Sequence, residues 1–595
     1  MRNQNKRTIA RKASLLLVVV MLLASCGTND SNSGNTGNTG NTGNTGNTGN
    51  TGNNAGNEVR YGGGTPSEIN SDSIFNEDGT VTFAPGRVDI DKISTGNKTV
   101  KEELVIRVDE ENGNLYNVSG GYHPQTQLIW GLTGTCLLTE GYTPTGGVDF
   151  QVNKYSLVDE YKFDDDYLGI TLHVRDNAKF HNGDPVLASD IIFSLRQYKD
   201  VARQAYVNFD GIEAIDDKTV YIPLNWIDSG FIGWLGRGVR VFQEKEYRKY
   251  EEAGTLDTEF YYGNDGTCGM YRITEWVSGD YITFEKDPNF YVPVNIDRIT
   301  IRFIADNTVA MMELETGGVD ILYSPASTDI QKVLAGEYGT KISGLEDISD
   351  MMMMLGFNVS GPLADINLRY ALCHAINWKQ IVDVAWGPLG AYPQTILART
   401  FEYQKDISDW WDDWYNPELA KEYMAKTEYA NGGLELKLII NNEATKTIAA
   451  ELMNKDLAPL GISLKIESYD TATWDAAMRV PEGWDLWIRD WGGTGAGWGS
   501  FFNDKGSYTA CTHPQYKFPE IAQKMWDVGN EFTRTLDPEK AKPLADQIQD
   551  MYLNGEIFFM FPMVSTKHIV LYNSKLHNWS RSTNNWYLAD AYFSD

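Results

Sequence analysis

The stretch Trp484–Phe502, WDLWIRDWGGTGAGWGSFF, carries the residues best suited to hold a small molecule. A strand pattern runs into a glycine-rich loop, and glycines let a backbone approach a ligand closely. The Asp490 carboxylate suits an amine, and the Arg489 guanidinium suits a carboxylate that binds it bidentately. Trp491 and Trp498 add ring faces for packing. Because neighbouring strand residues point to opposite faces, Arg489 and Asp490 are not equal candidates.

Motifs for making or breaking covalent bonds do not occur in the sequence. It has no GxxxxGK[ST] phosphate loop, no HExxH and no GxSxG turn. His173 stands alone in a strand and His181 in a turn, which indicates structural or solvated roles rather than a metal site. We therefore expect binding without catalysis, and neither a cofactor nor a metal.

A second polar loop follows a strand in which Leu434, Leu436 and Leu438 alternate with charged residues. The loop reads Asn441-Asn442-Glu443 and contains no cation. Asn442 together with a tryptophan suits a neutral polar ligand, such as a sugar, as well as it suits a peptide backbone. The residues alone leave the choice between these ligands open.

The bulk composition reduces the classes of binding partner that the protein could have. The net charge is −30, from 81 acidic and 51 basic residues, which argues against nucleic acid and against anionic lipid surfaces. Aromatic residues make up 12% of the chain, and rings are useful where a pocket grips a ligand. The body after residue 100 is too long for one core, so we expect two or three lobes.

Cysteine use leaves one question open. Five cysteines are present, and their spacing resembles no zinc pattern. Cys373 lies in an apolar helical pattern and is predicted to be a buried thiol. A disulfide among Cys136, Cys268 and Cys511 stays open, because pairing cannot be deduced from sequence.

The N-terminus has the form of an export signal. Positive residues precede the apolar run Leu15–Ala24, which is shorter than the roughly 20 residues that span a bilayer. Leu23-Ala24-Ser25-Cys26 resembles the lipobox of bacterial lipoproteins, in which the cysteine is acylated. Asn-Thr-Gly triplets from Asn35 to Gly52 then predict a flexible tether, which we extend over residues 27–100. The expected location is the outer face of a Gram-positive cell membrane, or the periplasmic face in a Gram-negative cell.

Hydrophobic periodicity predicts the elements that must position these residues. Strands are expected at Leu104–Val108, Tyr167–Val174 and Asp217–Leu224. Helices are expected at Ser189–Tyr198, capped by Ser189, and from Asn307 to Thr316, capped by Asn307. Further helices are expected after Asp365, after Asn416 and over Thr445–Leu457, and a second alternating strand runs through Ile462, Leu464 and Ile466. Strands that alternate with helices indicate α/β lobes with partly parallel sheets.

Four segments in order resemble the family 5 extracellular solute-binding proteins, the peptide- and nickel-binding group that serves ABC importers. They are LGITLHVRDNAKFHNGDPVLASDIIFSL (168–195), GTCGMYRITEWVSGDYITFEKDPNFY (266–291), ITIRFIADNTVAMMELETGGVDI (299–321) and LGFNVSGPLADINLRYALCHAIN (355–377). The resemblance covers nearly the whole body from Leu104 onward. Within the first segment, Asn182-Gly183-Asp184-Pro185 is turn chemistry.

The resemblance implies a two-lobed periplasmic-binding-protein-like α/β fold of type II, with the ligand enclosed between the lobes. Residues 101–350 and 562–595 would form lobe 1, with an inserted subdomain at about 143–257, and residues 351–561 would form lobe 2. The chain would cross near Met351–Phe357 and return near Phe558–Met563. Ligand contacts from both lobes would favour the closed form, which a permease then recognises.

The resemblance also implies site residues and a departure from the family pattern. Peptide-binding relatives carry an aspartate after the tryptophan of the glycine-rich loop, and that position is Thr494 here. Asp490 is the substitute we expect, because a buried amine needs a carboxylate. Four further residues belong to segments that the family places near the cleft: Tyr116, His123, Trp130 and Trp386.

The expected function is a lipid-anchored, monomeric receptor that delivers an oligopeptide or similar small polar solute to an ABC permease. Within the family, an oligosaccharide is the alternative, and a nickel complex is a lesser one. From other classes, a tethered extracellular hydrolase or a sensory lipoprotein would also fit a surface location.

Overall fold

The structure is a computed structural model that describes residues 73–85, 97–111, 124–142, 148–199, 205–256, 265–493, 495, 497–581 and 586–595. The predicted signal peptide, Cys26 and most of the predicted tether lie outside these ranges. Strands and helices alternate through most of the chain, which makes the fold α/β as expected.

The strands differ greatly in length, from two residues to 16. In chain order they are β1 Ile74–Phe75, β2 Val81–Thr82, β3 Ala84–Pro85, β4 Glu103–Val108, β5 Thr139–Tyr142, β6 Val148–Gln151, β7 Val158–Phe163, β8 Gly169–Val174, β9 Glu213–Ala214, β10 Thr219–Pro223, β11 Tyr271–Val277, β12 Tyr281–Lys286, β13 Arg298–Phe303, β14 Ile321–Leu322, β15 Ile342–Phe357, β16 Gly390–Ala391, β17 Leu434–Asn441, β18 Ile462–Tyr469, β19 Leu486–Gly492, β20 Met560–Asn573, β21 Leu576–His577, β22 Ser580–Arg581, β23 Trp586–Tyr587 and β24 Tyr592–Phe593.

The α-helices cover the faces of the sheets and are α1 Pro124–Thr133, α2 Ala188–Arg196, α3 Phe231–Gly233, α4 Glu244–Ala253, α5 Asn307–Thr316, α6 Ser327–Leu334, α7 Ile366–Ala375, α8 Trp378–Ile381, α9 Ser408–Asp412, α10 Pro417–Met424, α11 Ala444–Leu457, α12 Thr471–Met478, α13 Ser507–Thr512, α14 Pro519–Thr533 and α15 Pro538–Leu553. Short 3-10 and π turns join them, among them a π turn at Trp234–Gly238 and a 3-10 helix at Gly497–Phe502.

One mixed sheet runs through the body in the order β11-β12-β13-β4-β14-β20-β15-β19-β17-β18. Its middle is the antiparallel pair β15 and β20, which stay paired from Ile342 opposite Asn573 to Gly356 opposite Met560. The register shifts between Ile348 and Met352, so the two strands form a bent ribbon rather than a regular one.

The two halves of the sheet have separate hydrophobic cores. On one side, Ile106, Ile299 and Ile301 pack with the C-terminal segment that contains Trp579. On the other side, Met352–Phe357 pack with helices α7, α11 and α14. Because, among the described residues, only the ribbon of β15 and β20 belongs to both cores, the molecule has the two-lobed architecture that the resemblance implies.

A smaller antiparallel sheet, β7-β8-β10-β9, has its own core. Ile170, Leu172 and Ile222 alternate inward along β8 and β10, and Phe231 and Trp234 close this core from one end. These elements lie in the segment that we predict as the inserted subdomain.

Most of the predicted elements are confirmed, but two caps are not the predicted ones. Helix α2 begins after Leu187, and the Asp190 carboxylate accepts from the Leu187 amide, so Ser189 is not its cap. Helix α5 is capped by Asp306, whose side chain accepts from the Val309 amide, and Asn307 is its first residue. In helix α5 a carboxylate one residue earlier takes the amide that Asn307 would have capped, whereas Ser189 already lies inside the first turn of helix α2.

Part of the predicted tether is folded. Residues 73–85 form the hairpin of β1 and β2, followed by β3, which pairs with β15 at Leu345 and Glu346. The Ser73 hydroxyl donates to the Gly344 carbonyl at 2.8 Å, and Val81 is buried. We name residues 73–85 the N-terminal hairpin.

The open question about cysteine pairing also has an answer. Cys136, Cys268, Cys373 and Cys511 are all buried, and no disulfide joins any of them in the described structure. The prediction of a buried Cys373 thiol is confirmed, and burial raises its pKa well above the ordinary value.

Candidate ligand-binding cleft

The topology directs the loops of both lobes toward the ribbon. In lobe 1, β4, β13 and β14 are parallel to each other, and Leu322 of β14 lies opposite Leu571, so these strands end on the side of Lys567. In lobe 2, Gly492 at the end of β19 lies opposite Met351, and β17 and β18 run parallel to β19. Ligands of open α/β sheets bind outside the carboxyl ends of the strands. Both sets of carboxyl ends face the bend, and the space between them is the candidate cleft.

A buried lysine organises the lobe 2 wall of this cleft. The Lys446 side chain, 1% exposed, lies in the first turn of α11 and donates to the Asn441 side chain at 2.9 Å and to the Glu443 carboxylate at 3.0 Å. Its ammonium is 3.8 Å from the Asp490 carboxylate, which is 17% exposed. The carboxylates of Glu443 and Asp490 therefore share one cation at the ends of β17 and β19. The summed charge of the two carboxylates and the ammonium is −1.

Trp491 and Ser565 belong to one cross-strand row next to the bend. Met352 lies opposite both residues, and residues directly opposite each other point to the same face of a sheet. The Trp491 indole N–H and the Ser565 hydroxyl are buried, and neither has a hydrogen-bond partner among the described residues. Buried polar groups without partners are rare, and the row otherwise belongs to the lobe 2 core, which contains Met352 and the Trp491 ring.

Arg489 lies on the opposite face from Asp490 and is held inside lobe 2. Its Nη1 donates to the Asp475 carboxylate at 2.5 Å, and its guanidinium is over the Trp474 ring at 5.5 Å. The residue is 1% exposed. The carboxylate that Arg489 binds in this structure thus belongs to the chain itself.

The other predicted aromatic residues are buried against protein. Trp498 donates from Nε1 to the Glu402 carbonyl at 2.9 Å and packs on Phe532, and Trp386 is 6% exposed in lobe 2. Trp130 is in α1 of lobe 1, beneath the Arg240 guanidinium at 5.4 Å. The structure therefore brings Asp490 to the cleft edge and places these three rings in hydrophobic cores. The Trp491 ring is also in the lobe 2 core, 3% exposed and packed on Phe501 and Tyr508.

Asn442 is exposed at the end of β17, where its side-chain oxygen accepts from the Ser468 hydroxyl at 2.6 Å. Tyr116, His123 and Thr494 lie outside the described residues. The roles predicted for these four residues stay predictions.

A loop of lobe 2 braces the glycine-rich segment. Phe401 forms a bridge with Gly495, and the Thr400 hydroxyl donates to the Gly493 carbonyl at 2.5 Å. Arg399 and Glu402 of the same loop are buried. The glycine-rich segment is thus held against a polar support rather than projecting freely.

Arg107 fixes the lobe 1 wall. Its guanidinium donates to the carbonyls of Ile304 at 2.7 Å and Tyr323 at 3.0 Å, and to the Asn307 side chain at 2.9 Å. These acceptors follow β13 and β14, so one buried side chain ties together the loops at two strand ends. Desolvation lowers the Arg107 pKa, and the carboxylates of Asp109 and Asp306 oppose that shift.

Sequence reasoning missed Lys446, Ser565 and Arg107. Lys446 is three residues after Glu443, and that helical spacing was a usable signal. Ser565 depends on the register between β15 and β20, which the sequence does not display. Arg107 is an interruption in an apolar strand, and a buried guanidinium requires several acceptors.

The histidines show no metal chemistry in the described structure, where no group of His, Cys, Asp or Glu is arranged to hold a metal ion. His173 is half-buried, and its hydrogen bond to Asp159 raises its pKa. The buried His181 lies 3.7 Å from the Asp287 carboxylate. Across the described ranges we find no helix whose length and apolarity would let it cross a bilayer.

Comparison with known proteins agrees with this architecture. The chain is 25% identical over 362 residues to heme-binding protein A of Haemophilus influenzae, a match that covers 55% of this chain and 64% of that protein. It is 26% identical over 334 residues to the glutathione-binding protein GsiB of Escherichia coli, covering 54% of this chain and 63% of GsiB. The matched part therefore spans less than two thirds of either relative.

Solved structures show the same fold. The ABC transporter substrate-binding protein CtaP from Listeria monocytogenes superposes with a TM-score of 0.69 at 16% identity, covering 84% of this chain and all of CtaP. The sequence model of the bacterial extracellular solute-binding proteins, family 5, matches residues 154–510. That match includes more than half of the sequence, and the chain belongs to this family.

Proposed function

We propose that the protein is a lipid-anchored receptor that captures an oligopeptide or similar small polar solute by hinge closure and delivers it to an ABC permease. The observation that carries this proposal is the convergence of strand ends from both lobes on the ribbon of β15 and β20. Such a site can enclose a solute between two walls, and it needs no catalytic group to do so.

The hinge of this proposal is the bend of the ribbon. The register shift between Ile348 and Met352 leaves fewer ladder hydrogen bonds there than in the regular parts of β15 and β20. A few residues at such an interruption can absorb the dihedral changes of closure. We take residues 101–350 and 562–595 as lobe 1, with the inserted subdomain at about 143–257, and residues 351–561 as lobe 2.

For the solute we propose contacts on the lobe 2 wall. Asp490 accepts from an amine or hydroxyl group, the Trp491 indole N–H donates to a carbonyl or hydroxyl oxygen, and the Ser565 hydroxyl can do either. Arg489 is not among these contacts, because Asp475 already binds its guanidinium. The heme-binding and glutathione-binding relatives support a small solute, and glutathione is a modified tripeptide.

An oligosaccharide is the second candidate, and the Lys446 cluster favours it. Because Lys446 lies between Glu443 and Asp490, the wall offers an amine much less net negative charge than two free carboxylates would. A neutral sugar needs hydroxyl partners, and Asp490, Asn442 and Trp491 supply them. A tethered hydrolase, from another class, would convert its solute.

A thermal-shift screen tests the proposal on the purified chain with di- to pentapeptides, oligosaccharides and nickel. A solute at roughly 100 times its dissociation constant should add about 2.7 kcal/mol of stability. Mass spectrometry of the recovered solute should show it unchanged. Turnover of any solute, or stabilisation by none of them, would contradict the proposal.

The anchor is tested separately in the cell that makes the protein. Cys26→Ser should prevent incorporation of labelled fatty acid and release the protein from the membrane fraction. A variant that stays membrane-bound without a lipid would contradict the lipoprotein proposal and leave solute binding untouched. Gel filtration tests the expected monomer.

A further inference from the structure

A second contact joins the lobes, away from the hinge ribbon. The loop Asp228–Gly230 of the subdomain reaches the end of α14 in lobe 2, and the Ser229 amide donates to the Thr533 carbonyl at 2.7 Å. Both Ser229 and Thr533 are buried. We name residues 228–230 the latch loop.

Glycines let the two backbones approach closely at this contact. A Cβ atom placed on Gly497 would lie 3.3 Å from the Gly230 Cα, which is tighter than ordinary van der Waals contact. Gly497 begins the 3-10 helix that follows the glycine-rich loop of the cleft wall. The latch loop therefore touches the segment that leads directly to Trp491.

The latch loop is mounted firmly on the subdomain. It is followed by α3 and the π turn Trp234–Gly238, and Phe231 and Trp234 are both buried in the subdomain core. π turns are often found at functional sites. The loop should therefore move with the subdomain rather than adapt on its own.

A partly buried carboxyl group lies at the same contact. Asp228 accepts from the Gly230 amide at 2.9 Å. Burial raises the pKa of Asp228 to about 6, although the Gly230 amide and the charge of Arg534 at the end of α14 oppose that shift. The 3-10 helix that packs against the loop presents Gly497 and Trp498, neither of which is charged.

We propose that the latch loop docks on the Gly497–Thr533 surface of lobe 2 only when the lobes close, and that it stabilises the closed form independently of the solute. This inference rests on the hinge closure in the proposed function. The docked loop also bounds the cleft on the subdomain side, so a solute that projects there would prevent docking.

The sign of the pH effect follows from the burial of Asp228. In the open form the carboxyl is expected to be exposed, with the ordinary pKa of about 3.9, whereas in the closed form its pKa is about 6. Closure then takes up a proton, so the closed form is favoured in acid and loses that advantage as pH rises through about 6. From about pH 5 to about pH 8, the ratio of closed to open molecules should fall about tenfold.

The experiment measures the distance between the lobes without any solute. Spin labels are placed on Glu213→Cys in the subdomain and Lys540→Cys in lobe 2, both exposed, in the full chain. Gly497→Leu should shift the distance distribution toward the open population. The control is Gly361→Leu, where an added Cβ meets only ordinary contact, 3.7 Å from Asp485, and the distribution should not change.

The same distance distribution is then compared at acid and neutral pH. Asp228→Asn should abolish the difference between the two distributions. The control Asp527→Asn, at an exposed position of α14, should keep that difference. If open and closed populations are seen but neither Gly497→Leu nor pH changes their ratio, the latch proposal is wrong and the hinge proposal stands. A single distance in every variant would overturn both, whereas failure of the solute screen alone would not bear on this measurement.

Discussion

The two walls of the cleft each contain a buried cation, and the two cations do different things. Arg107 of lobe 1 donates to backbone carbonyls and one amide side chain. Lys446 of lobe 2 lies between two carboxylates, one of which is at the cleft edge. The comparison teaches that burial of a charge does not define its role. The acceptors of Arg107 are loops that must keep their shape, whereas the neighbours of Lys446 are groups that can meet a solute.

Arg107→Met gives the largest expected effect. It would leave three acceptors at the ends of β13 and β14 without their donor, at a cost of roughly 3 to 5 kcal/mol in the free energy of unfolding. Denaturant unfolding measures it. Arg302→Met, at the half-exposed pair with Glu313, is the matched control and should lose less than about 1 kcal/mol. Equal losses for both variants would contradict the role of Arg107.

Lys446→Met tests whether the lobe 2 cation affects solute binding as well as stability. Without the ammonium, Glu443 and Asp490 repel each other, so we expect a loss of roughly 2 to 4 kcal/mol in unfolding free energy. The same variant should bind cationic peptides more tightly relative to neutral ones, as titration calorimetry would show. Lys455→Met, exposed on the same helix, should change neither property. An unchanged preference for charge would mean that Lys446 is as purely structural as Arg107.

Asp490→Asn tests whether the lobe 2 wall receives an amine. If the solute is a peptide, affinity for a free N-terminus should fall about tenfold or more, since a hydrogen bond to a charged group contributes about 1.5 to 3 kcal/mol. The N-acetylated peptide serves as the control and should bind both proteins alike. A loss that is the same for both peptides would favour the oligosaccharide alternative.

Trp491→Phe and Ser565→Ala give the smallest effect on stability. Each removes a buried polar atom that has no partner among the described residues. Ser565→Ala should therefore leave the free energy of unfolding level or raise it by up to about 1 kcal/mol, and Trp491→Phe should cost only the packing of the lost ring atoms. Solute-induced stabilisation should decrease at the same time. Trp474→Phe is the contrast, because its indole N–H donates to the Ile439 carbonyl and its loss should destabilise the protein. A drop in stability without a change in binding would mean that both groups support the fold and do not contact the solute.

The sequence was most informative where a pattern is local. The alternation of Leu434, Leu436 and Leu438 and the spacing after Asp365 led to the correct strand and helix, because burial on one face dictates both periods. The resemblance supplied the family and the two-lobed fold. Asp490 and Trp491 could be named as candidates because the glycine-rich loop is itself a continuous segment, and their roles stay predictions.

The features that stayed hidden depend on pairing between distant segments. Ser565 meets the row of Trp491 only through the register of β15 and β20. The latch loop meets lobe 2 across about 300 residues of chain. The N-terminal hairpin looked like tether because Val81, Phe83 and Ala84 form only a short apolar stretch in a glycine-rich and polar segment, and their burial requires contact with lobe 1.

That hairpin has a mechanical consequence. It occupies the edge of β15 at Leu345 and Glu346, just before the bend, and so attaches the N-terminal segment to lobe 1 rather than to lobe 2. If Cys26 holds the protein at a membrane, any force from that anchor acts on lobe 1, which becomes the stationary lobe. Lobe 2 is then the moving part, and it opens and closes without dragging the attachment point with it.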